Sequence, residues 1–113
     1  MNDCIFCKII AGIIPSKKIY EDETCLAFFD IAPEAPTHFL IIPKAHIPSA
    51  AAITAENSDV VAHIFTVAAK LAKELQLENG YRMVTNVGQD GGQTVAHLHF
   101  HILAGRSLAW PPG

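Results

Sequence analysis

Val95-Ala96-His97-Leu98-His99-Phe100-His101-Ile102-Leu103-Ala104 decides how this chain folds and where its chemistry lies. Half of the six histidines stand here at every second position, with apolar residues between them. Successive side chains of a strand point to opposite faces, so a strand over 95–104 carries His97, His99 and His101 on one side. Ala96, Leu98, Phe100, Ile102 and Ala104 line the other side and turn to a core. The histidine face is then open, with rings roughly 6–7 Å apart. Such a row suits proton transfer, nucleophilic attack, phosphate contact or metal ligation. One zinc ion on all three rings is a poor fit. Positions i and i+4 of a strand lie roughly 13 Å apart, whereas Zn–N bonds are ~2.0–2.1 Å. The three rings are therefore expected to have separate roles.

Upstream of the histidines, Asn86 leads into Val87–Thr94, a Gly-rich loop containing Gly91, Gly92, Gln93 and Thr94. Glycines let backbone N–H groups turn toward an anion, and Gln93 and Thr94 add side-chain donors, so the loop reads as a phosphate cradle. Tyr81–Asn86 reads as the strand before it. Between Asn57 and Gln76, Val60, Ile64, Val67, Leu71 and Leu75 recur at helical spacing. Thr54, Asn57 or Ser58 can cap this helix, and Asn79-Gly80 can stop it. Ile19–Glu21 and Cys25–Phe29 read as strands around the turn Asp22-Glu23-Thr24. His38–Ile42 is a third strand, after a loop with two prolines over Asp30–Pro36. Cys4–Ala11 reads as a short helix stopped by Gly12 and Pro15. Hairpin strands broken by one long helix predict an α+β fold with a five-stranded antiparallel sheet, one long helix and one short. The long helix and the Leu98/Phe100/Ile102 face are expected to share the core.

The 113 residues suffice for one domain, 1–113, with a real core. A net charge of -3 and the lack of a basic run argue against a nucleic-acid groove, although a single nucleotide needs only local donors. No apolar run approaches the ~18–20 residues of a membrane span, and the N-terminus lacks the pattern of a signal peptide. Three cysteines, an odd number, fit a reducing cytoplasm better than a disulfide framework. Cys4-Ile5-Phe6-Cys7 is a CxxC, read either as two buried small hydrophobes or as half of a metal site. A thioredoxin-like role does not suit it, because no βαβ unit precedes it. Cys25 reads as a buried strand residue and His63 as a helix-surface residue.

The run Gly-Gly-Gln-Thr-Val-Ala-His-Leu-His-Phe-His-Ile-Leu-Ala-Gly over 91–105 resembles the histidine triad (HIT) signature, His-φ-His-φ-His-φ-φ with φ apolar. The resemblance extends to Phe28-Phe29-Asp30-Ile31, Ala35-Pro36-Thr37-His38, Ile42-Pro43-Lys44, Gly80-Tyr81-Arg82 and the closing Trp110-Pro111-Pro112-Gly113. That ending is similar to the Hint branch, the histidine triad nucleotide-binding proteins. The branch implies a homodimer with joined sheets, Trp110 reaching toward the partner's site, and hydrolysis of the P–N bond of purine nucleoside phosphoramidates. By this resemblance His99 is the nucleophile, His101 contacts the phosphate and His38 orients from behind. Asp30 binds the ribose hydroxyls; Phe6, Ile9, Phe28 and Ile31 wall the base; Asn86, Gly92, Gln93 and Thr94 hold the phosphate and leaving-group side. Relatives with a CxxC imply a structural zinc on Cys4, Cys7, His46 and His97, and no cofactor is expected for catalysis itself. The alternative is a nucleotide-binding regulatory module with vestigial catalysis. Turnover of an adenosine phosphoramidate, as against mere AMP binding, separates the two.

Overall fold

The computed structural model describes residues 3–113. In chain order its elements are α1 (Ile5–Ile10), β1 (Lys18–Glu21), β2 (Cys25–Phe29), β3 (Thr37–Pro43), a 3-10 turn (Ala50–Ala52), α2 (Ser58–Glu74), β4 (Tyr81–Val84) and β5 (Phe100–Ala104). The strands form one five-stranded sheet in the order β1-β2-β3-β5-β4, and every pairing is antiparallel. Among the described residues no helix is long and apolar enough to cross a membrane.

The period of two along each strand sorts side chains between the sheet's faces. Phe39 and Ile41 of β3 join Cys25, Ala27, Phe100 and Ile102 under α2, whose Ile64, Val67, Ala68 and Leu71 complete the larger core. Leu40 and Ile42, one residue out of phase, pack with Leu26 and Phe28 against Phe6 and Ile9 of α1. The central strand β3 is therefore buried from His38 to Pro43. The expected sharing of a core by the helix and the Leu98/Phe100/Ile102 face is what the structure contains.

Three boundaries differ from the sequence reading. The last strand begins at Phe100 rather than Val95, and β4 ends at Val84 rather than Asn86. Backbone groups there find partners outside the ladder: Leu98 N–H donates to the Ile47 carbonyl at 2.6 Å, and Thr85 Oγ1 donates to the His99 carbonyl at 2.8 Å. The alternation nevertheless persists through the bend, with Leu98 in the larger core and His97 on the other side against Phe6. Helix α2 stops at Glu74, well before Asn79-Gly80, because Gln76 takes a left-handed conformation (φ 59°). Leu77 N–H then reaches the Ala72 carbonyl at 2.9 Å and Gln76 N–H the Lys73 carbonyl at 3.1 Å, a Schellman closure that leaves Leu75 exposed. At the other end Asn57 occupies the cap position, but its Oδ1 accepts from Thr54 N–H at 2.6 Å instead of capping the helix.

The largest correction concerns the histidine face. It is not open: α1 lies over it, and His38, His97 and His99 are all buried. Its short hydrophobic helix, with Phe6 and Ile9 one turn apart on the inner side, supplies the cover.

Candidate active site and cysteine–histidine cluster

Tautomers in the site follow from main-chain partners. Glu34 N–H donates to His38 Nδ1 at 3.0 Å, so the proton of a neutral His38 sits on Nε2. That Nε2 lies 2.9 Å from His101 Nδ1 and 3.4 Å from Asp30 Oδ2. His38 therefore donates to His101 Nδ1, and the proton of a neutral His101 is left on Nε2, facing away from His38. Burial, with His99 and His38 alongside, pushes the His101 pKa down to about 4, so the ring is uncharged near neutrality. His99 Nδ1–H donates to the His97 carbonyl at 2.6 Å, so in the neutral ring Nε2 carries the lone pair. Its ring lies 5.0 Å from that of His101 and 5.0 Å from Phe6, edge to face with both. One imidazole thus offers a nucleophilic nitrogen and its neighbour offers a donor, an arrangement suited to displacement at an anionic centre.

A phosphate cradle is expected over 87–94. The loop does turn on glycines: a Cβ on Gly91 would lie 2.5 Å from the Val87 carbonyl oxygen, and Gly92 has φ +80°. Gln93 is not a free donor, however. Its Nε2 donates to the Pro48 and Val95 carbonyls at 2.8 and 2.9 Å, and its Oε1 accepts from Gly88 N–H at 3.0 Å. It builds the loop, leaving backbone N–H groups and the exposed Thr94 hydroxyl as available donors. Asn86 is half-buried at the loop's entrance.

Asp30 ends the ascent of β2, with Oδ1 accepting from Ala32 N–H at 2.8 Å, the Asx turn of a loop start. It lines a cavity of about 640 Å³ with Ile31, Phe29, Lys17, Ser16 and Pro15. The expected apolar wall divides here. Phe6, Ile9 and Phe28 pack together in the small core, whereas Ile31 is 99% exposed and belongs to the cavity rim. Four partners carry no signal in the sequence: the Glu34 N–H, the His97 carbonyl, the Thr85 hydroxyl and the Pro43 carbonyl. Three are backbone groups, and no residue type signals those.

Cys4, Cys7, His46 and His97 lie 93 positions apart at the extremes and yet converge, their ligand atoms all within 4.8 Å of one another. Cys4 Sγ is 3.3 Å and Cys7 Sγ 3.7 Å from His97 Nδ1. His46 Nδ1 is 3.3 Å from Cys7 Sγ and 3.2 Å from His97 Nδ1. A tetrahedral centre with bonds of ~2.0–2.3 Å has edges of roughly 3.3–3.8 Å, so the four atoms fit zinc. His97 Nε2–H donates to the Pro43 carbonyl at 2.9 Å, fixing the tautomer in which Nδ1 is free to ligate. His63 is on the α2 surface as expected, partly covered, with Nε2 2.6 Å from Asp22 Oδ2.

Fold and site together define a histidine-triad protein, and comparisons with known proteins agree. The HIT domain family matches residues 11–108. An uncharacterized HIT-like protein of Synechococcus elongatus is 51% identical over 112 residues, 99% of this chain and 98% of the relative. A HIT family hydrolase from Legionella pneumophila superposes with a TM-score of 0.95 at 50% identity, covering 97% of this chain and 99% of that one. A histidine triad nucleotide-binding protein from Candida albicans gives 0.82 at 39% identity, covering 96% and 82%. The chain belongs to the HIT family.

Proposed function

We propose that this protein is a nucleoside phosphoramidate hydrolase that cleaves the P–N bond of a purine nucleoside 5′-phosphoramidate through a nucleotidyl intermediate on His99. The observation that carries this reading is the His99 ring, oriented by its Nδ1 contact to the His97 carbonyl at 2.6 Å, so that in the neutral ring the proton sits on Nδ1 and Nε2 is the nucleophilic nitrogen. Nε2 attacks phosphorus, an N–P bond forms, the P–N bond to the leaving amine breaks, and the amine leaves with a proton taken from solvent, which the water of the second step gives back. Water then cleaves the His99–P bond and releases the nucleoside monophosphate. His101 donates to the phosphoryl oxygens, His38 holds His101 in that tautomer, Asp30 accepts from the ribose hydroxyls, and Phe6, Ile9, Phe28 and Ile31 give the base an apolar side, Ile31 from the rim of the Asp30 cavity. Solved relatives named as a hydrolase and as a nucleotide-binding protein support the same class of activity.

A structural zinc on Cys4, Cys7, His46 and His97 belongs to the proposal. It would tie α1, and Phe6 with it, to the catalytic bend. The protein would act as a homodimer, since β4 is an edge strand and Phe65 and Trp110 are exposed, and its three free cysteines suit a reducing cytoplasm. The deciding experiment is turnover of adenosine 5′-phosphoramidate by wild type and His99→Ala, with mass spectrometry of the quenched enzyme. Wild type should release AMP and carry a transient nucleotidyl adduct. The variant should lose at least ~10³-fold in kcat while remaining folded. Near-normal kcat in His99→Ala would falsify the nucleophile assignment.

A further inference from the structure

Among the described residues a single buried side-chain oxygen or nitrogen has no hydrogen-bond partner: Ser16 Oγ. Native interiors satisfy nearly all such atoms, and an exception asks for an explanation such as an absent ligand. Ser16 borders the cavity of about 640 Å³ that Asp30, Phe29 and Ile31 also line. That volume lies within the ~300–1,000 Å³ range of small-molecule sites. The segment is not loose. Phe29 N–H donates to the Lys17 carbonyl at 3.1 Å, tying the residue after Ser16 to the end of β2, next to Asp30. An orphan hydroxyl thus stands at a fixed place beside the carboxylate assigned to the ribose, in a cavity whose other side chains include Pro15, Phe29 and Ile31.

We infer that Ser16 is a specificity-determining residue whose hydroxyl, after one χ1 rotation into the cavity, hydrogen-bonds the polar edge of the nucleobase. The inference rests on the proposed nucleotide site and deepens it. An apolar slot separates bases mainly by shape, whereas a hydroxyl that donates and accepts distinguishes bases by their exocyclic groups. Without nucleotide the group keeps the desolvation penalty of an unpaired hydroxyl; with nucleotide it gains a partner.

The test is equilibrium binding of AMP, GMP, IMP, purine riboside 5′-monophosphate and ribose 5-phosphate to wild type and Ser16→Ala, with thermal melting of both proteins free of ligand. Ser16→Ala should weaken at least one of the base-substituted nucleotides by ~3–10-fold. It should leave ribose 5-phosphate unchanged and narrow the spread among bases. The free variant should melt at the same temperature as wild type or higher, because it loses an unpaired polar atom, whereas a merely structural serine would lower the melting temperature. Equal affinities for every ligand in the two proteins, or an equal loss on ribose 5-phosphate, would overturn the inference and leave the catalytic reading standing. A wild type that binds none of these nucleotides would overturn both.

Discussion

The two faces of the sheet are built from the same strands and held by different physics. Toward α2, β2, β3 and β5 send Cys25, Ala27, Phe39, Ile41, Phe100 and Ile102 into an apolar layer. On the other side the same strands send Leu26, Phe28, Leu40 and Ile42 under α1, but rings of His38, His97 and His99 interrupt that layer. Burial stabilises the first face roughly in proportion to area, and many apolar residues of suitable volume serve. The second face depends on individual partners: a Glu34 N–H, a His97 carbonyl, a Pro43 carbonyl and a cluster of sulfur and nitrogen atoms. Stability is concentrated on one side and chemistry on the other.

Substitutions should separate the faces. After loss of the nucleophile His99 itself, the largest effect on rate is expected from His38→Ala, which removes the link between Glu34 N–H and His101. Turnover should fall ~10²–10⁴-fold with little change in nucleotide affinity, measured as kcat beside calorimetric binding. Leu71→Ala, on the α2 face, should do the reverse: about 2–5 kcal/mol of stability lost in urea unfolding, with kcat of the folded fraction unchanged. A variant of either residue showing both losses in full would mean that the faces are not separable. Metal removal comes next. Exhaustive chelation should lower the melting temperature of wild type and leave that of Cys7→Ser unmoved, because only the intact cluster has an ion to lose. Less than one zinc per chain in untagged protein would remove the metal from the histidine face.

The α2 face was nearly all legible in the sequence, and the histidine face only in outline. Ile64, Val67 and Leu71 at helical spacing, and Leu98, Phe100 and Ile102 at strand spacing, announced a shared core because burial leaves a periodic trace. The same alternation singled out His97, His99 and His101. It could not show that Leu98 N–H would leave the ladder for Ile47, which shortens the strand to Phe100. Nor could it show α1 closing over the rings, since a six-residue helix carries little periodicity. Gln93 looked like a ligand donor because its type suits one; its use inside the loop depends on carbonyls of Pro48 and Val95 that leave no mark in the sequence. Ser16 gave no signal at all.

Acid distinguishes the faces further. A histidine ordinarily titrates near ~6.5, and burial holds folded His101 down to about 4. As pH falls through this interval the unfolded chain takes up a proton that the folded chain refuses. The stabilisation is whole above ~6.5 and lost as pH passes below the folded value. Urea unfolding at pH 7, 5 and 4 should show this decline in wild type and in Leu71→Ala alike, and a shallower decline in His101→Ala. An unchanged slope in His101→Ala would assign the acid sensitivity elsewhere.

The smallest effect is expected where the α2 face has its own polar contact. Asp22 accepts from Tyr20 OH at 2.7 Å, Thr24 N–H at 2.8 Å, Cys25 N–H at 2.9 Å and His63 Nε2 at 2.6 Å. Burial alone would raise its pKa, but His63, Tyr20 and the two backbone donors hold it well below the usual carboxylate range. Its contribution is therefore present above ~3.9, the ordinary value, and is lost only in stronger acid than the His101 window. His63 is 37% exposed at the side chain, so solvent screens the pair, and His63→Ala should lose only ~0.2–1 kcal/mol at pH 7. Asp22→Ala should lose about 1–2 kcal/mol, because it also strips the N–H groups of Thr24 and Cys25 of their acceptor. In a double-mutant cycle the coupling should stay within the smaller figure, and kcat should not move in any of the three variants. A change in kcat with His63→Ala would mean that the turn clasped by Asp22 is felt across the sheet at His99, and the division between the faces would be lost.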